Sequence, residues 1–427
     1  MHKRSTDSRH TIPRAALGAT LTICICAAVS IAAEPATQQG RKQGTTDRDL
    51  WRSMQRGDVG AKRGRPTPPP PPPPAMFRTL DGGGNNPQFP DWGRAGASYL
   101  REQSGAHYAD GIAAPSGADR PSARVISNAI ADQRGRFIID ERGLATAIYE
   151  FGQFLDHDIG LALGGDTEEF DIAVPAGDPY FDPTGTGSQH IFLDRSGFDP
   201  ATGSISPRQQ VNTITAFVDA SQVYGSDASR AAWLRTFIGG RLRVDASSGV
   251  DYLPFNDGTL ANDNPAGLPA TALRVGGDVR VNEQPGLTVL HTVFLREHNQ
   301  QANRIAQEHP EWDDERIYQE ARRIVGAMMQ AITYEEFLPA LLGHPLPPYQ
   351  GYRPEVNPGL SNVFATAAYR FGHSQVGPDI DVVNENFEEV GVLELADVFF
   401  NPLAIPSVGG IDPLIRYFAI AGAQRVD

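Results

Sequence analysis

The chain has 427 residues, 40% of them hydrophobic, which is enough for one large domain or two to three ordinary ones. Its formal charge of −14 is uneven: residues 1–65 carry 12 Lys/Arg against 5 Asp/Glu, which leaves 25 against 46 in the remainder. An acidic body excludes nucleic acid as the main partner, because phosphate binding needs a basic face.

In chain order, the first element is an export signal. Lys3, Arg4, Arg9 and Arg14 precede the apolar run "AALGATLTICICAAVSIAA", which ends in small residues, and residues 1–33 read as a signal peptide. An uncleaved membrane anchor is the alternative. Both cysteines, Cys24 and Cys26, lie in that run, so no disulfide is expected in a mature chain. No Asn-x-Ser/Thr site is present, and the expected location is secreted or periplasmic. Residues 34–75 read as a polar, Pro-rich linker with seven consecutive prolines, Pro68 to Pro74, a stiff extended spacer. Arg56–Gly57–Asp58 within it spells an adhesive tripeptide compatible with a cell-surface receptor.

From residue 76 onward the composition is that of a mainly α globular domain. Leu144, Ile148, Phe151 and Leu155 predict a helix over 141–155, and long amphipathic helices are predicted over 286–308 and 312–342. Loops rich in Gly, Pro and Asp fill 164–210 and 246–270, with few clear strands. The final stretch, "GGIDPLIRYFAIAGAQRVD", begins a helix-like pattern.

Four stretches hold candidate chemistry. In "FGQFLDHDIG" (151–160), Gln153 and His157 lie four apart on one helical face, with Asp156 and Asp158 rotated off it in opposite directions. A polar helix end explains this spacing as well as a site does. In "ITAFVDASQVYGS" (214–226), Thr215, Asp219, Ser221 and the Phe217 carbonyl offer the hard oxygens that calcium takes, or an Asp/Ser turn beside a strand. Arg280 and Glu283 precede the helix that opens near Pro285; His291 and His298 on that helix read as structural, since no His-Glu-x-x-His pattern is present. In "AAYRFGHSQV" (367–376), Arg370 stands three residues before His373.

Together with "FRTLDGGGNNPQFPDWG" (77–93), "AGDPYF" (176–181) and "WDDERIYQEARRIVGAMMQAITYEEFLPALLG" (312–343), in that order, these stretches resemble the animal-type haem peroxidases. The resemblance implies a mainly α haem peroxidase fold over 76–427, with haem b and calcium as cofactors. It further implies an exported enzyme that uses hydrogen peroxide to oxidise a halide, thiocyanate or phenol. Under it, His157 is the distal base and Arg280 the catalytic arginine, with Gln153 beside them. His373 is the axial ligand of the haem iron, and Arg370 pairs with a propionate. Asp156 and Glu283 are the ester-forming carboxylates; Asp158, Thr215, Phe217, Asp219 and Ser221 hold calcium. Gln284 stands where some relatives carry a methionine linked to haem, and Gly84 where many have a cysteine. A family segment downstream of the last residue is also implied, so a longer chain is expected. Two other functions stay open: fatty-acid dioxygenation, which retention of both Asp156 and Glu283 opposes, and adhesion on a peroxidase scaffold, which Arg56–Gly57–Asp58 and the proline run motivate.

Overall fold

The computed structural model describes residues 77–102 and 106–426. The expected signal peptide, the linker with its prolines and Arg-Gly-Asp, and both cysteines lie outside the described residues.

The elements run α1 (Ala123–Ile130), α2 (Ala147–Ile159), β1 (Gly164–Glu169), β2 (Ile172–Ala173), β3 (His190–Ile191), β4 (Asp194–Ser196), α3 (Ser221–Tyr224) and α4 (Ala228–Leu234). They continue with α5 (Pro285–Glu308), α6 (Asp314–Ala331), α7 (Leu338–Leu342), α8 (Asn362–Thr366), β5 (Asp379–Val383), β6 (Glu389–Glu394), α9 (Leu395–Val398), α10 (Ala404–Ser407) and α11 (Asp412–Ile420). Three two-stranded antiparallel pairs, β1 with β4, β2 with β3 and β5 with β6, decorate the helical body. The 164–210 stretch expected as loop thus contains four strands. They are two to six residues long and mostly polar, too short and too polar to show an alternating pattern.

The helix expected from residue 141 starts at Ala147. Gly143, with φ 70°, closes a turn onto the Asp140 carbonyl, and Leu144 then accepts from the Ala423 amide while the Thr146 amide donates to Ala421. This pairing with the stretch that follows α11 holds Leu144 extended and delays the first helical turn. Once begun, α2 is buried on nearly every side, with Ile148, Phe151, Phe154 and Leu155 all at 4% exposure or less. A helix buried on nearly every side belongs in the centre of a domain, and its polar residues Glu150, Asp156, His157 and Asp158 are buried with it.

α2 packs against α5, and α5 against α6. Phe154 stacks on Phe294 with ring centroids 5.0 Å apart and meets the edge of His291 at 4.9 Å. Leu287, Leu290, Val325, Met329, Leu414 and Phe418 complete the core. Each such side chain contributes roughly 1.5–3 kcal/mol on burial. α5 begins where expected, with Pro285 in its first turn and the Gln284 side chain capping the Gly286 amide at 2.6 Å. The helix expected over 312–342 is interrupted by a π turn, Ile332–Phe337, between α6 and α7. Residues 215–220, one alternative for which was a turn beside a strand, form a loop that leads into α3 with no strand next to it.

Candidate active site

The elements around α2 leave a cavity of about 530 Å³. Its lining includes Gln153, Asp156, His157, Arg280, Glu283, Arg370 and His373, so seven expected residues from three separate stretches share one wall system. Gly152, Gly372 and Gly377 leave parts of that wall without side chains, and Phe337, Ile380, Leu395 and Phe399 make others apolar.

His157 is 2% exposed. Its Nδ1 lies 3.6 Å from Asp278 Oδ1 and has no hydrogen-bond partner among the described residues, while its Nε2 lies 3.9 Å from Glu283 Oε2. Burial, reinforced by the Arg280 charge, holds its pKa well below the ordinary histidine value despite Asp278. The imidazole is therefore neutral at neutral pH, the state in which it accepts a proton.

Arg280 donates to Asp278 through Nε and Nη2, both at 2.8 Å, and to the Gly160 carbonyl at 3.1 Å; its Nη1 is 3.6 Å from Asp156. Burial disfavours its charge, but the pairing with Asp278 and the nearby Asp156 raise its pKa above the ordinary arginine value. Burial likewise pushes Asp278 up, and the Arg280 pair outweighs it, leaving this carboxylate well below its usual range. Asp278 thus anchors Arg280 and lies 3.6 Å from His157, and sequence reasoning missed it. Its signal was weak: an aspartate two residues before an arginine in a loop.

Asp156 sits between Arg280 and Arg370, whose Nη1 is 3.2 Å away. Burial raises its pKa, against the pull of both guanidinium groups. Glu283, also raised by burial, accepts from Gln153 Nε2 at 2.9 Å. A second missed residue is Glu150, 2% exposed and pushed up to about 7 by burial. Its spacing of three and seven residues to Gln153 and His157 was visible and placed it on the same helical face.

On the opposite side of α2, Asp158 is fully buried. Its carboxylate accepts from the amides of Asp219, Ala220 and Ser221, and Ser221 Oγ donates to its carbonyl at 2.8 Å. Thr215 Oγ1 lies 3.4 Å from Asp219 Oδ2 and accepts from the Phe217 amide. Asp219 Oδ1 is buried without a partner among the described residues. Burial raises both carboxyls, Asp219 to about 6, and their mutual repulsion adds to the Asp158 shift. Among the described residues no group of three or more His, Cys, Asp or Glu gathers as a metal site. Any cation here would therefore draw on hydroxyl and carbonyl oxygens beside the two aspartates.

His291 and His298 take no part in the cavity wall. Both are buried and neutral, pushed down to about 4 by burial, and His298 is held between Tyr224 Oη (2.9 Å) and the Gly240 carbonyl (2.8 Å).

The cavity of this mainly helical domain thus holds a neutral buried histidine, a paired arginine and a second histidine. The animal haem peroxidase family model matches residues 77–427, and the chain belongs to that family. It is 34% identical over 400 residues to the Drosophila melanogaster protein named peroxidasin, covering 82% of this chain and 25% of that one. Among solved structures it is similar to peroxidase A from Dictyostelium discoideum, with TM-score 0.75 and 33% identity over 82% of this chain and 70% of that one. A fatty acid alpha-dioxygenase from Arabidopsis thaliana aligns at TM-score 0.66 with 18% identity, over 82% of this chain and 56% of that one. That likeness shows the fold alone. The chain spans about a quarter of the length of the peroxidasin relative it matches.

Proposed function

We propose that the chain is an exported haem peroxidase that reduces hydrogen peroxide and oxidises a halide, thiocyanate or phenol. The observation that carries this reading is the neutral, buried His157 beside the Asp278-fixed Arg280 in a cavity that His373 also lines. The residues suit haem: a glycine-lined wall, apolar side chains, and a half-exposed Arg370 suited to a propionate. His373 would bind the iron, Arg370 a propionate, and Asp156 and Glu283 would form the esters.

Bound haem supplies the redox centre that takes up the oxidising equivalents of peroxide. The chain supplies proton handling and charge. Peroxide is a weak nucleophile until deprotonated, and hydroxide a poor leaving group until protonated. His157 takes the proton from one oxygen at Nε2 and returns it to the other. Arg280, unable to lose its own proton, stabilises the negative charge that develops as the O–O bond breaks. Asp278 keeps Arg280 in place, and Gln153 positions water or halide beside the pair.

We also propose calcium at Asp158, Thr215, Phe217 (carbonyl), Asp219 and Ser221, where it would neutralise two buried carboxyls and fix the residue next to His157. Removal of calcium by a chelator is expected to lower the Tm; an unchanged Tm would count against the site. For the enzyme itself, the full chain loaded with haem b should show a Soret band and peroxide-dependent iodide or guaiacol oxidation. His157→Ala should keep the band and lose about 10²–10⁴ in turnover. A haem-loaded His157→Ala protein with wild-type turnover refutes the assignment, and oxygen uptake with linoleate in place of peroxidase turnover moves it to dioxygenase chemistry.

A further inference from the structure

A chain of four side chains crosses the cavity wall from a buried carboxyl to the neighbour of His157. Gln284 Nε2 donates to Glu150 Oε2 at 2.7 Å and to Gln153 Oε1 at 3.1 Å. Gln153 Nε2 donates in turn to Glu283 Oε1 at 2.9 Å, while Glu283 Oε2 faces His157.

The direction of this chain follows from one backbone group. The Gly286 amide donates to Gln284 Oε1 at 2.6 Å, and a backbone N–H can only donate. Gln284 must therefore present its oxygen to the start of α5 and its amino group to the cavity side. That amino group requires an acceptor, so Gln153 must offer its oxygen there and its own amino group to Glu283. Glu150 completes the anchor by accepting the other hydrogen of the Gln284 amino group. It forms no ion pair among the described residues, and the backbone of α5 leaves room for it only because residue 286 is glycine: a Cβ there would overlap the Glu150 carboxylate.

We propose that Gln284, anchored by Glu150, is a positioning residue that fixes which end of Gln153 faces Glu283, the carboxyl beside His157. The functional consequence rests on the reading of the cavity as a haem site.

The decisive substitution is Gln284→Glu. It keeps the oxygen for the Gly286 amide but in its ionised form has no donor for Gln153 or Glu150, so at a pH that ionises it Gln153 turns end for end and sets its oxygen against Glu283. In the haem-loaded full chain, cyanide should bind ~10-fold more weakly, the scale of one lost hydrogen bond to a charged group. In a Gln153→Leu background the same substitution should leave cyanide affinity unmoved, which a general loss of stability would not reproduce. Gln284→Met, close in volume and without hydrogen bonds, serves if the glutamate variant fails to fold. Wild-type cyanide affinity in the folded variant overturns the inference. A wild-type chain that takes up no haem overturns the haem reading instead. The inference is then judged on the haem-free chain, where urea midpoints for Gln284→Met and Gln153→Leu should be non-additive; strict additivity would overturn it.

Discussion

On the wall formed by α2 and residues 278–284, His157, Asp156 and Asp278 are 2, 6 and 3% exposed, and Asp278 holds Arg280 through two hydrogen bonds. On the wall formed by residues 368–377, His373 is exposed and its ring makes no hydrogen bond among the described residues, while Arg370 has a side chain 45% exposed. That second wall is tied to the first at two points, Tyr369 Oη to the Gly152 carbonyl at 2.9 Å and Arg370 to Asp156. One histidine is therefore positioned by the protein alone, with its environment already tuned. The other is presented on a 3₁₀ segment, exposed and with no hydrogen bond to its ring among the described residues.

The largest effect that would break this contrast concerns Asp278. Replacing it by Asn leaves Arg280 buried without its paired charge, so the haem-free chain should lose about 3–5 kcal/mol by urea unfolding. A loss below 1 kcal/mol would mean that the first wall is not preassembled.

An intermediate effect comes from Glu150. Its folded pKa, about 7, lies above the ordinary value of 4.5. The folded state therefore holds the proton more tightly, and stability is lost as pH rises from 4.5 through about 7. The shift corresponds to on the order of 3 kcal/mol. Glu150→Gln should be immune to this loss, so its Tm advantage over wild type should widen across that range and level off above it. A constant difference from pH 5 to 8 would show that Glu150 is not buried as described.

The smallest effect is expected at His373. Its replacement by Ala should change haem-free stability by no more than about 0.5 kcal/mol, as for an exposed residue, while removing the Soret band. A large destabilisation of the haem-free chain would make the two walls alike.

The same contrast decided what the sequence revealed. Gln153, Asp156, His157 and Asp158 lie on one helix, where spacing translates into direction, and the separate partners of Asp156 and Asp158 follow from their rotation about the axis. Glu150 is legible by the same rule, three and seven residues from Gln153 and His157, but nothing in a lone glutamate of the sequence distinguishes a buried carboxyl from a solvated one. Asp278 lies in a loop, where no period relates it to Arg280, and only burial singles it out. The late start of the helix predicted over 141–155 reflects pairing with residues 421–423, a contact more than 270 positions away. The β1 sequence, "GGDTEE", contains no apolar residue and gives no alternation to detect.

The π turn between α6 and α7 gives the cavity an unusual dependence on chain length. Ile332–Phe337 accommodates an extra residue within a helix whose ordinary step is about 100° of rotation per residue. Phe337 reaches the wall beside Phe151 and Gly152 from within this turn. Deleting one residue there would rewind the turn and swing Phe337 and everything after it by a single step, with no side chain changed in size. The bore of the cavity on this side is thus a matter of phase: a one-residue indel would retune it as a substitution would elsewhere.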